Sequence, residues 1–156
     1  MSTEAMKALA RQHMERLSQH DLEGALRLYA ADARCNGFAP QPLDLDGYQH
    51  SMAQLLTAFP DAHFSIDDLI AEGDSVVIRH RLQGTHQGAF QGIPPTGKPV
   101  TVTAIGILRI VNDQIAETCL LHLGSTRKDA ERRALAMLDA VKIRDPDIVF
   151  RQYPHQ

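Results

Sequence analysis

The sequence has no tryptophan, two cysteines and a net charge of only −3, and each shortage removes a class of answers. Cys35 and Cys119 lack the paired spacing of a zinc site, and a chain of this size needs no disulfide to hold a core. Lys and Arg number 16 against 19 Asp and Glu, so there is no basic footprint for nucleic acid and no cationic run for a membrane surface. No apolar run approaches the ~20 residues of a membrane span. No apolar segment of secretory type stands at the N-terminus. A cytoplasmic protein with neither a nucleic-acid nor a membrane partner is expected. Aromatics make up 5% of residues, which offers little stacking surface to a polycyclic ligand. Repeats, low-complexity tracts and linkers are also missing.

What is present is ordinary globular material. The 156 residues are 44% hydrophobic and 22% charged, enough for one domain with a real core. That domain is expected over residues 1–145, with residues 146–156 as a polar C-terminal tail.

Hydrophobic periodicity places the elements. Residues 3–19 read as a helix capped by Thr3, with Met6, Leu9, Ala10, His13, Met14 and Leu17 along one stripe. Asp21 caps a second helix whose face carries Leu22, Ala25, Leu26 and Tyr29. A short strand is expected over 34–38, then a helix over 47–59 with Tyr48, Met52, Leu55, Leu56 and Phe59 inward and Pro60 as its stop. Strands follow over 63–70, 75–86, 99–111 and 114–123, and a last helix over 126–142. Asn112-Asp113 is a two-residue link whose side chains tolerate positive φ, so 99–111 and 114–123 form a tight hairpin. Helices first, antiparallel strands next and a helix last argue α+β, with helices covering one face of the sheet.

Alternation then sorts the chemistry by face. Val76, Ile78, His80, Leu82, Gly84 and His86 share one face of their strand, and Ile115, Glu117, Cys119, Leu121 and Leu123 share one face of theirs. An imidazole titrates near neutrality, so His80 is either a proton carrier in a pocket or a buried, hydrogen-bonded core residue. His86 lies about 20 Å away at ~3.3 Å per residue, too far to share a metal, and either contacts ligand or shapes the loop that follows. Glu117 either sits beside His80 as an acid–base group or pairs with Arg109 across the hairpin. His122 carries an imidazole but falls on the opposite face unless a bulge re-aims it. Cys119, mid-strand among leucines, is read as a small apolar filler. No metal and no cofactor are expected.

The stretch Gly84-Thr-His86-x-Gly88-x-Phe90-x-Gly92-Ile-Pro-Pro-Thr-Gly97-Lys98, then Arg109-Ile and Ile115-Ala-Glu117, resembles the SnoaL-like polyketide cyclases, also called ester cyclases. Ala58-Phe-Pro-Asp61 and Ile70-Ala-Glu-Gly-Asp74 fit the same pattern upstream. The resemblance covers residues 5–140 and implies the cone-shaped, nuclear transport factor 2-like (cystatin-like) fold. In that fold N-terminal helices pack on a strongly curved, mostly antiparallel sheet and a helix closes the chain. It also implies a pocket for a small apolar carbonyl or ester compound, lined here by Asn36, Phe38, Tyr48, Leu82, His86, Cys119 and Leu123. His80, Glu117 and His122 would be the catalytic groups. The family ends its last strand with Glu, a residue, Trp, three residues and an acid–base Asp. This chain keeps Glu117, has Cys119 for the Trp, and has Leu123 for the Asp, so the cyclase base is missing at that position. Asn36 stands where many members have histidine. Arg79 and Arg81 beside Thr101 and Thr103 make a polar stripe on a sheet face that in this superfamily often meets a second subunit, so a homodimer is expected. The rival reading is a non-catalytic ligand-binding or scaffold protein of the same shape.

Overall fold

The helix expected over residues 3–19 runs Thr3–Ser18 (α1) in the computed structural model, which describes residues 1–122. Its cap is Ser2 rather than Thr3: the Ser2 hydroxyl accepts from the Ala5 amide at 3.1 Å while Thr3 is already helical. Asp21 caps α2 (Leu22–Leu26), accepting from the Gly24 amide at 2.9 Å. A Cβ on Gly24 would collide with that carboxylate, so the glycine is demanded by the cap. Tyr29 does not continue α2. It opens strand β1 (Tyr29–Asn36), because the chain there turns to pair in parallel with a later strand, Tyr29 lying opposite Ile115. Asp44 caps α3 (Leu45–Ala58).

Four further strands follow: β2 (His63–Glu72), β3 (Ser75–Thr85), β4 (Pro99–Val111) and β5 (Gln114–His122). They form a sheet in the order β1-β5-β4-β3-β2, antiparallel except where β1 joins β5. The helix α1 crosses β2 and β3, and α3 packs on β1. The architecture is the expected α+β. No described helix is long and apolar enough to cross a membrane. The helix expected over 126–142, the tail and Leu123 lie outside the described residues.

The core joins Met6, Ala10, Met14 and Leu17 of α1 to Tyr48 and Met52 of α3 and to Val76, Ile78, Leu108 and Ile115 of the sheet. A smaller cluster, Ala58, Phe59 and Ala62, holds Phe90 and Val100 at the other end. The stripe read on α1 is therefore the buried one, His13 included.

The β4–β5 hairpin turns at Asn112 and Asp113, both at positive φ (51° and 62°), as the two-residue link requires. The register then departs from strict alternation. Ile110 faces Ile115, but Arg109 faces Glu117, leaving Ala116 as the extra residue of a bulge. Beyond it, Thr118 and Leu120 stand opposite Leu108 and Gly106 on the helix-covered face. Glu117, Cys119 and Leu121 stand opposite Arg109, Ile107 and Ile105 on the other. Ile115 therefore does not share a face with Glu117, Cys119 and Leu121 as uninterrupted alternation would require. One inserted residue exchanges the two faces of the strand.

Gly37 ends β1 at φ 89°, and a Cβ there would collide with the Leu120 carbonyl oxygen, whereas Gly73 (φ 60°) has open space around it. Gly73→Ala should cost about 1–2 kcal/mol from the left-handed backbone alone. Gly37→Ala should cost roughly 2 kcal/mol more, because the obstructing atom is backbone of a neighbouring strand. Urea denaturation of the two variants checks the difference; equal losses would mean that the end of β1 shifts freely away from β5.

Candidate ligand cavity

Between the sheet and the helices lies a cavity of about 1520 Å³. Its floor is the alternating face of β3 and β4, from Ile78, His80 and Leu82 to Val102, Ala104 and Gly106, and its roof is supplied by Met14 and Leu17 of α1 and Tyr48 and Met52 of α3. Small residues open the floor: a Cβ on Gly106 would stand 3.8 Å from His80 Nε2, with room to spare. Of five phenylalanines in the chain, Phe38, Phe59, Phe64 and Phe90 all line this space, and Tyr48 joins them. Scarcity of aromatics thus conceals their concentration: stacking surface is gathered where a ring would sit.

His80 lies in β3 between Ile66 and Ala104, is 8% exposed, and has the Phe64 ring at 6.3 Å. Beside it is a group that strand reasoning passed over. His13, 4% exposed on the core face of α1, lines the same cavity. Its Nε2 lies 3.0 Å from the Tyr29 hydroxyl, and the two rings meet edge to face at 5.4 Å. That hydroxyl also interacts with the hydroxyls of Tyr48 and Thr118. Burial, with a smaller contribution from nearby His80, lowers the His13 pKa from 6.5 to about 4, so the ring is neutral at neutral pH. Burial likewise holds the Tyr29 and Tyr48 phenols well above their ordinary value, so both remain protonated. The signal for His13 was present in the sequence as one polar residue on an apolar helical stripe. Thr118 gave none, because the bulge at Ala116 had not been expected.

The other expected site residues separate into groups. Phe38, Tyr48 and Leu82 line the cavity together with His80. Asn36, Glu117 and Cys119 also line it, although the register puts them on the opposite face of the sheet, so the space is not confined to the helix-covered side. There Asn36 Nδ2 donates to Glu117 Oε1 at 3.2 Å and lies 3.6 Å from Cys119 Sγ, while Arg109 Nε donates to Glu117 Oε2 at 3.2 Å. Glu117 therefore pairs across the hairpin and is not beside His80: the bulge has carried it to the far face. Burial, then the Glu117 charge, pushes the Cys119 thiol up to about 11, which keeps it a neutral filler.

His86 does not line the cavity. Its ring stacks on Phe59 at 5.4 Å, its Nδ1 lies 3.2 Å from Thr96 Oγ1, and its backbone pairs with Gly97 and Lys98, so it fastens the base of the Gly/Pro-rich loop. That loop in turn lends Phe90 and Gln91 to the cavity wall. His122 is described only by its backbone, opposite Ala104 at the end of β5. Among the described residues no three His, Cys, Asp or Glu side chains gather closely enough to hold a metal ion.

The lowered His13 pKa has a consequence for stability. Above about pH 6.5 the ring is neutral in both states and contributes no pH dependence. Between about 6.5 and 4 only the unfolded chain takes up the proton, so the folded state loses stability as pH falls and levels off below about 4. The loss is about 3 kcal/mol at ~1.4 kcal/mol per unit. Urea denaturation of wild type and His13→Gln across this window should show the variant with the flatter profile; parallel profiles would mean that the imidazole charges freely within the fold.

Comparison with known proteins agrees with this architecture. A family model described as SnoaL-like polyketide cyclase matches residues 7–121. AclR from Streptomyces galilaeus, a candidate hydroxylase, is similar in structure with a TM-score of 0.74 and 26% identity, covering 85% of this chain and 97% of that one. IdmH from Streptomyces antibioticus, a candidate polyketide cyclase, aligns with a TM-score of 0.66 and 27% identity over 75% of this chain and 91% of its own. A protein from Catenulispora acidiphila with a ketosteroid isomerase-like fold, 18% identical, has a TM-score of 0.59 over 70% of this chain and 81% of its own, and speaks for the fold alone. A local match, 40% identical over 55 residues, joins 35% of the chain to the dipeptide transport ATP-binding protein DppD of Bacillus subtilis. The chain spans only 16% of that curated relative's length, too little to carry its activity across. The fold is nuclear transport factor 2-like, and with the family pattern running through α1, the whole sheet and the cavity between them, the chain belongs to the SnoaL-like polyketide cyclase family.

Proposed function

We propose that this protein takes a small, largely apolar carbonyl or ester compound into the cavity and that His80 exchanges a proton with it. The observation that carries the reading is a single space of about 1520 Å³ whose walls are mainly aliphatic and aromatic and whose floor holds a buried imidazole. Ordinary small-molecule pockets run to ~300–1000 Å³, so volume places no bar on a compound of several rings. Positioned acid–base groups of this kind contribute typically ~10²–10⁴-fold to proton abstraction next to a carbonyl. Glu117, tied to Arg109 and Asn36 on the other face, shapes the mouth in this reading. His122, whose backbone lies opposite Ala104 at the end of β5, is the further candidate for the proton-exchange role, and the stacked His86 positions the loop wall.

A second reading, binding without turnover, draws on Leu123. In the family pattern that position holds the acid–base Asp, and a leucine moves no proton. We also infer a homodimer through the open face carrying Arg79, Arg81, Thr101 and Thr103, for which light scattering on the purified protein is the test; a monomer at micromolar concentration would refute it.

Native mass spectrometry of the purified protein, followed by extraction, should yield an apolar carbonyl or ester compound bound one per chain. With that compound in hand, His80→Ala should lower turnover ~10²-fold or more while leaving the affinity within a few-fold and Tm close to wild type. A large fall in Tm with turnover per folded molecule retained would make His80 a core residue. Stoichiometric binding with no turnover by wild type would establish the second reading instead.

A further inference from the structure

Gly106 is a glycine that neither its backbone nor its neighbours require. It is not among the positive-φ residues of the chain. Among the described residues a Cβ there would meet only ordinary contacts, His80 Nε2 at 3.8 Å and the Cys119 carbonyl oxygen at 3.9 Å. Gly24 and Gly37 differ: a Cβ on either would collide, with the Asp21 carboxylate and the Leu120 carbonyl oxygen respectively. A glycine inside a strand weakens it, and one kept there marks a bulge, a bend or a close approach by backbone or ligand. The β3–β4 ladder runs through Gly106 without a shift of register, and the nearest backbone atom stands at ordinary distance. Approach by a ligand remains. Along the inner face of β4 the side chains run Val100, Val102, Ala104, Gly106 and Leu108, all on the cavity wall. They shrink to nothing beside the imidazole: Ala104 pairs with His80, and Gly106 follows between Ile78 of β3 and Leu120 of β5. The floor therefore carries a notch one residue wide, with His80 Nε2 at its edge.

We propose that Gly106 is the specificity-determining residue of the cavity: the notch it leaves admits a slim group, a methyl or methylene next to a carbonyl, to His80 Nε2 and refuses a branched one. The inference rests on the proton exchange at His80 proposed above and adds which ligands can undergo it. A proton passes only between atoms within hydrogen-bond reach, so a side chain at position 106 would occupy the approach that the ligand's C–H must use. Ile78 and Leu120 wall the notch on either side, and packed walls yield to an extra methyl only by displacement. The strand that carries it is the middle one of five, so its neighbours on both sides hold the notch in shape. His86 supplies an internal comparison. It is as buried as His80, 6% against 8% exposed, but stacks on Phe59 away from the cavity wall.

Diethyl pyrocarbonate, a small uncharged acyl donor, reads access to each imidazole by peptide mapping near neutral pH. The ring nitrogen attacks one carbonyl carbon, ethyl carbonate leaves and breaks down to carbon dioxide and ethanol, and the ring N–H proton passes to water. In wild type His80 should react several-fold faster than His86. Gly106→Ala should slow His80 several-fold and Gly106→Val about tenfold or more, while His86 and the exposed His50 keep their rates. The Tm of Gly106→Ala should be no lower than that of wild type, since the substitution meets no obstruction and stiffens the unfolded chain. Two ketones then test the selection. 2-Acetylnaphthalene, which carries a methyl, should protect His80 at a concentration about tenfold lower than 2-naphthyl isopropyl ketone. Calorimetric titration of both ketones reports on the cavity itself. His80 reacting no faster than His86, a rate unchanged in both variants, or equal protection by the two ketones would each overturn the notch, and binding of the ketones would then leave the cavity reading standing. Failure of both ketones to bind wild type would overturn both.

Discussion

The register between β4 and β5 is the constraint on which the site depends. Asn112 and Asp113, both at positive φ, close the hairpin with no slack, so Val111 must face Gln114 and Ile110 must face Ile115. One extra residue, Ala116, then shifts every later residue of β5 to the other face. Without it Glu117 and Cys119 would stand on the helix-covered face beside Leu108 and Gly106, and a carboxylate would enter that interior. With it Thr118 and Leu120 take those places, and Glu117 reaches Arg109 and Asn36 instead. The parallel pairing of β1 follows the same register, with Cys35 against Thr118 and Asn36 against Cys119.

A second dependence runs through Tyr29. It belongs to β1, receives α1 through His13, meets α3 through the Tyr48 ring at 5.3 Å and reaches β5 through Thr118. Four elements thus converge on one hydroxyl in the interior. Such a network is costly when incomplete and directional when satisfied, so it sets the orientation of the groups at that end of the cavity as well as holding the helices to the sheet. The opposite end is held differently, by Phe59 against His86 and Phe90, an aromatic contact that tolerates small displacements. The polar end is specified by hydrogen bonds and the loop end by packing.

Much of the scaffold was legible from residue order. Proline and glycine bounded the elements, Asp21 was recognisable as a cap, and the 3.6-residue and two-residue periods separated helices from strands. The inward face of β3 followed from alternation alone, which is why His80 and Leu82 line the cavity as expected. The misses have physical causes. Tyr29 reads as helical by spacing, yet its pairing opposite Ile115, distant in sequence, makes it a strand residue. Phe64 and Phe90 lie on separate elements in sequence and meet only around the cavity. His13 was visible as an anomaly on an apolar stripe, but its partner lies in another element.

By itself, the sequence determined the class of fold, the hairpin at Asn112-Asp113, the family pattern from Gly84 to Glu117, and the inward direction of His80. These depend on local backbone preference and on period, which neighbours within a few residues decide. Only the tertiary structure decided that Glu117 pairs with Arg109 rather than approaching His80, that His86 fastens a loop, and that His13, Tyr29, Tyr48 and Thr118 form one network. Each of those outcomes turns on a single-residue shift of register or on contact between residues far apart along the chain. Periodicity supplies a direction for a side chain; the group it meets there is set by the packing of the other elements.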